Sequence, residues 1–230
     1  MKIIAIETST EACSAALLSA NEVIASYRVA PREHTELILP MIDGLLADAG
    51  VGRAQLDAVA FGRGPGAFTG VRIATGVAQG IAFALDIPVM PVSTLAALAH
   101  RVWREAGYQR VMSAIDARMG EVYWGCYFIE GSGKAVLHGE EIVCSPEVVP
   151  VPDGGAWIGV GTGWETYGDT LTARCTSVTG IDERRFPHAH DVALLGATMF
   201  STGHAVAADQ ALPVYLRDQV AQKKATQHSE

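Results

Sequence analysis

The sequence predicts an α/β layer fold built from two duplicated lobes. Apolar alternation and turn residues mark short strands, and these alternate with stretches of helical apolar period. The opening IIAIETSTEACSAALLSANEVIASYRVA shares its grammar with VMSAIDARMGEVYWGCYFIEGSGKAVLHGEEIV further on. Each reads as an apolar strand ending in an acid, a tight connection, a long alternating strand, a turn and a third strand, so Glu7 matches Asp116. The repeat is far longer than a solenoid's and implies two lobes with a cleft between them. A chain of 230 residues, 49% of them hydrophobic, also buries enough surface to need no staples.

Taken in order, strands are expected at 2–7, 12–19 and 22–29, with SANE as the turn between the last two. A helix over about 35–49 follows, then a strand at 56–62, a glycine-rich turn and a helix over about 69–85. IPVMPV reads as a short strand and STLAALAHRVWREAG as a helix. The lobe boundary falls near 101–109, giving one lobe over 1–104 and a second over 105–216, whose last helix folds back on the first. In the second lobe WIGVGTGW reads as a strand broken at Gly161 and Gly163, and 191–202 as a helix. The polar tail over 217–230 is expected to fray or to order only against a partner.

Composition excludes several function classes. The formal net charge is -8 and the Lys and Arg residues are scattered, so the chain alone is expected to bind RNA or DNA poorly, and any nucleic-acid role runs through a partner. Cys13, Cys126, Cys144 and Cys175 form no C-x-x-C pair, which fits a reduced compartment. The first apolar run is too short for a signal peptide, and no apolar segment reads as long enough to span a bilayer. A cytoplasmic protein is expected.

The stretch GRGPGAFTGVRIATGVAQG, residues 62–80, raises the question of phosphate binding. From Gly64 it reads G-P-G-A-F-T-G, one residue too long for a dinucleotide fingerprint, and no Lys stands between residues 3 and 133 to complete a P-loop. What remains is a tight turn around Pro65, with Thr69 placed to cap a helix whose first turn holds Gly70, and that free N-terminus could still touch an anion. Inside the helix, Gly76 and Gly80 each cost about 1 kcal/mol against alanine. They imply close approach by another helix, from this chain or from a partner. The preceding helix carries two apolar stripes, Leu37, Met41 and Leu45 beside Ile38, Ile42, Leu46 and Ala49, with Pro40 expected to bend it. One stripe suffices for a sheet. The second is covered either within the monomer or by a partner.

No metal centre is expected: His34 is followed at i+4 by Ile38, and the HAH at 188–190 has only Asp191 nearby. Ser9, Ser14 and Ser93 lack the G-x-S-x-G context of a nucleophile. Glu7 and Asp116 are the one constellation that could flank the cleft around a hydrated cation, although a strand-end acid often only satisfies amides of the next turn.

IIAIETST, HTELILPMI, GRGPGAFTGVRIATGVAQGIA, AIDARMGEVYW and PVYLRD, in that order along the chain, resemble the TsaB family of bacterial tRNA threonylcarbamoyladenosine biosynthesis proteins, formerly grouped with glycoprotease-like proteins. The resemblance implies an actin-like ATPase fold of two ribonuclease-H-like lobes. It further implies a non-catalytic scaffold that binds and activates a paralogous transferase, TsaD, with the small ATPase TsaE. That transferase places threonylcarbamoyl on the adenosine beside the anticodon of tRNAs reading codons that start with A. The paralogue holds its metal with two histidines four apart, where this chain has His34 and Ile38.

Nucleotide-binding relatives carry D-x-G-x-T at the strand end, where this chain has ETST at 7–10 and DARMG at 116–120. No tightly bound cofactor is therefore implied. Arg118 and Glu121 could meet a nucleotide held at a complex interface. The family associates with itself or with the paralogue through two helices, which here places Leu37, Ile38, Met41 and Leu45 on one and Val71, Arg72, Thr75, Gly76 and Gln79 on the other. A homodimer is implied for the protein alone, and tRNA is met only through the complex. The competing readings are an autonomous Mg-ATPase or kinase using Glu7 and Asp116, and a peptidase, which lacks a recognisable nucleophile and base.

Overall fold

The computed structural model describes residues 1–20 and 22–217. Asn21 of the SANE turn, and the tail expectation from residue 218 onward, lie outside the described residues.

Each half of the chain builds one five-stranded sheet. The first holds β1 (Lys2–Glu7), β2 (Ala12–Ser19), β3 (Glu22–Val29), β4 (Ala58–Gly62) and β5 (Val89–Val92), in the order β3-β2-β1-β4-β5. The second holds β6 (Arg110–Arg118), β7 (Glu121–Ile129), β8 (Ala135–Cys144), β9 (Trp157–Val160) and β10 (Val178–Ile181), in the order β10-β9-β6-β7-β8. In both, the first three strands run antiparallel and the last two join in parallel. The duplication read from sequence is thus a duplication of topology.

Helices α1 (His34–Asp48), α2 (Phe68–Leu85), α3 (Thr94–Ala106), α4 (Thr162–Arg174) and α5 (Ala189–Ser201) complete a layered stack. Because side chains alternate along β1, Ile4 and Ile6 meet Ile38, Ile42 and Ala78 of α1 and α2 on one face, while Ile3 and Ala5 meet Val192 and Ala193 of α5 on the other. The α3 residues Leu95 and Leu98 lie in that same central core with Val111 and Ile115 of β6, so α3 and α5 are packed between the sheets. The far face of the second sheet is covered by Trp164 and Leu171 of α4 against Met112 and Trp124.

Several sequence expectations change. The broken strand expected over WIGVGTGW is instead a strand and the start of a helix: β9 ends at Val160, Gly161 turns the chain at φ 104°, and α4 follows at once. Strand β10 had no counterpart in the sequence reading. Helix α1 is continuous through Pro40, which lies on its exposed side. Helix α2 starts at Phe68 with the extended residue Ala67 before it, so Thr69 is an exposed first-turn residue and not the cap. Finally, α2 is 18 residues long with mean hydropathy 1.3, which is long and apolar enough to cross a membrane, contrary to the expectation of no such segment. Its Ala74, Ala78 and Ala82 lie buried on the first sheet, as in a core helix.

Candidate functional site

The carboxyl ends of β1 and β6, the two equivalent strand ends, face the junction of the lobes. Asp116 lines a cleft of about 740 Å³ there, with Ser9, Thr10 and Glu11 from the first lobe and Thr162 and Arg185 from the second. Asp116 is held locally. Its carboxylate accepts the Arg118 backbone N–H at 2.8 Å and the Arg118 guanidinium at 2.9 Å. Arg118 is exposed, adopts φ 63° and also reaches Glu11 at 3.5 Å.

Glu7 does not share that cleft. Its side chain is wholly buried, Oε1 accepts the Ser9 N–H at 2.6 Å, and Oε2 has no hydrogen-bond partner among the described residues. It rests on Gly62, where an added Cβ would come within 2.0 Å of Oε2. Burial pushes this carboxyl up to about 7, against the hydrogen bonds from Ser9 and Thr94 that pull it down. Of the two readings open for these acids, the shared cation site is not formed: the two occupy equivalent positions, only Asp116 lines the cleft, and each carboxylate accepts a backbone amide of the turn that follows it.

The glycine-rich turn explains this enclosure. A Cβ on Gly66 would lie 2.3 Å from the Ser9 carbonyl oxygen, and one on Gly70 would lie 2.0 Å from that of Thr8. The Thr8 hydroxyl also donates to the Gly70 carbonyl at 2.7 Å. The first turn of α2 is thus packed directly onto the backbone after β1. Thr69 and Gly70 do not line the cleft, and neither does Glu121, which pairs instead with Arg217. His34 is buried, with Nε2 2.9 Å from the Thr10 carbonyl oxygen.

The outer face of α1 and α2 is the second candidate. On α1, Ile38 and Leu45 are buried in the core against the first sheet with Ile42 and Leu46, and on α2 Val71 and Thr75 are buried within the chain, so these four present no surface to a partner. Leu37 and Met41 are half-buried, Leu39 is exposed, and on α2 the residues Arg72, Gly76 and Gly80 are exposed, with Gln79 half-buried. Phe83 extends this face at 84% exposure. Among the described residues, a Cβ added to Gly76 or Gly80 would meet nothing within 4 Å, so their packing does not require glycine at either position.

Over 97% of this chain and 98% of the Escherichia coli (strain K12) protein named tRNA threonylcarbamoyladenosine biosynthesis protein TsaB, 45% of the residues are identical. The chain belongs to the TsaB family. A Haemophilus influenzae protein of the same name is 42% identical, over 97% of each chain. The solved structure described as YeaZ from Pseudomonas aeruginosa superposes with a TM-score of 0.88 at 51% identity, covering 94% of this chain and 99% of that one. The family model described as "TsaD: tRNA N6-adenosine threonylcarbamoyltransferase" matches residues 19–225. The fold is accordingly the glycoprotease-like α/β fold of two mixed sheets with flanking helices.

Two clusters of this TsaB-family chain bring residues named from sequence, Arg72 and Asp191, together with partners that sequence did not single out. Phe68 and Tyr215 pack with tilted rings, 5.7 Å between centroids, with the Arg72 guanidinium 3.5 Å from the Phe68 centroid. Between the sheets, Asp191 accepts from Arg104 at 2.9 Å and lies 2.6 Å from His100 Nδ1. Burial alone would raise the Asp191 carboxyl, but its hydrogen bonds to His100 and Arg104 prevail and hold it below the usual range. The PVYLRD motif was the one signal for Tyr215. Nothing local marks His100 and Asp191 as partners.

Proposed function

We propose that this chain is a non-catalytic subunit in the synthesis of tRNA threonylcarbamoyladenosine, binding and activating a paralogous TsaD-type transferase together with a TsaE-type ATPase. The observation that carries the reading is its full-length similarity to proteins named for that biosynthesis. The geometry supports a scaffold. The strand-end acid of the first lobe is sealed under Ser9 and Gly62, and the loop after it is filled by the backbone contacts of Gly66 and Gly70. The apolar and glycine-lined outer face of α1 and α2 supplies a surface for a partner's helices, with Leu37, Met41, Arg72, Gly76 and Gln79 as the facing residues. The protein alone uses this face to form a homodimer, and in the cytoplasm it exchanges that copy for the transferase. A nucleotide, where present, sits at the joint near Arg118, and tRNA is reached through the complex.

The test is size-exclusion chromatography with light scattering, on the protein alone and mixed with the TsaD-type paralogue, for wild type and Gly76→Leu. Open space at Gly76 lets the monomer accept leucine, while a partner's helix is pushed away. The expected result is a dimer and a heterocomplex for wild type and a folded monomer for the variant. Association that survives Gly76→Leu refutes this face as the interface.

A further inference from the structure

The stretch 211–217 crosses from one lobe to the other. It begins against α2, where Gln79 Nε2 donates to the Ala211 carbonyl at 3.1 Å. It then passes over the glycine-rich turn, where the Val214 N–H donates to the Arg63 carbonyl at 2.8 Å. Gly64, at φ 99°, makes room for it, since a Cβ there would lie 2.8 Å from the Val214 oxygen. The Tyr215 hydroxyl accepts from Arg72 Nε at 2.8 Å. Arg217 then reaches the second lobe, where it pairs with Glu121, lies 3.7 Å from the Met119 sulfur and points Nη2 at the Arg118 carbonyl, 3.4 Å away. Left-handed backbone at Arg118, Met119 and Gly120 shapes the turn that receives it.

The two attachment points are the loops that flank the cleft, and Arg217 lies three residue steps after Val214. Three residues span at most about 10 Å when fully extended. The mouth of the cleft therefore cannot open beyond that backbone reach plus the lengths of the Arg217 and Glu121 side chains while both ends hold. We propose that residues 211–217 form a strap that fixes the separation of the lobes, with the Arg217–Glu121 ion pair as its latch. A two-lobed fold that could hinge about its cleft is held in one arrangement by its own chain, independently of any partner or ligand.

The latch is tested by measuring the interlobe distance in the full chain with spin labels at Asp48→Cys on α1 and Asp169→Cys on α4, both exposed positions. Cys144→Ser removes the half-buried thiol, and the remaining cysteines are buried. The expected result is a narrow distance distribution in the otherwise native chain. Arg217→Glu and Glu121→Arg should each broaden it and shift its mean, and the two together should restore it. A distribution unchanged in both single variants overturns the proposal, and so does a charge-swapped pair that fails to recover the narrow distribution.

Discussion

Replacing Glu7 by glutamine should make the protein more stable at neutral pH than the natural chain, although it removes a buried acid at a strand end. Glutamine keeps the shape that rests on Gly62 and retains an oxygen for the Ser9 N–H. What it removes is proton linkage. Burial raises the Glu7 carboxyl from 4.5 to about 7, so between these values the unfolded chain gives up its proton while the folded chain keeps it. The stability of the natural protein is then full below about 4.5 and is lost progressively as pH rises through about 7. At 1.36 kcal/mol per pKa unit the whole loss is about 3 kcal/mol. In a chain of this size that corresponds to roughly 6–12 °C in Tm. Urea unfolding of both proteins at pH 4.5 and pH 8 measures it. The variant should gain about 3 kcal/mol on the natural chain at pH 8 and little at pH 4.5. Parallel pH profiles would mean that the carboxyl is ionised inside the fold, and the argument from its enclosure would fail.

Other outcomes follow from the same contacts. Gly70→Ala sets a Cβ 2.0 Å from the Thr8 carbonyl oxygen, a backbone atom that cannot swing aside, and should cost about 2–3 kcal/mol in urea unfolding. Gly76→Ala on the same helix meets open space, and should stabilise the monomer by about 1 kcal/mol. Asp191→Ala leaves Arg104 and the buried His100 without their carboxylate and should cost about 3 kcal/mol by the same measurement. Calorimetry of the isolated protein with Mg-ATP should give no micromolar binding; such binding, lost in Asp116→Ala, would overturn the scaffold reading in favour of an autonomous ATPase.

The parts legible in the sequence are those whose signal is local and periodic. Strand alternation located β1 to β3, and the matched acids Glu7 and Asp116 exposed the duplication that the two sheets repeat. Helix α4 was missed because its residues carry little apolar period: Gly163 and Gly168 interrupt it, and Tyr167 departs from helical backbone. It is held instead by tertiary anchors, Trp164 donating to the Met112 carbonyl at 2.8 Å and Leu171 in the core. The two stripes of α1 could not be ranked from sequence because both are apolar, and the choice belongs to β2 and α2, which take Ile38 and Ile42. The enclosure of Glu7 was equally hidden, since it depends on Gly62 of another strand. Partners such as His100 and Asp191 meet only after the chain has folded back across both sheets.

Gly66 and Gly70 are usually the kind of residues read as the imprint of a bound molecule. In this chain each is fixed by a carbonyl of its own backbone, so neither depends on any ligand for its retention. A descendant that lost every binding role would still keep both. A phosphate cradle at this turn would in turn require α2 to withdraw from β1 along with any change in the loop sequence. The motif records a crossing of two chain segments.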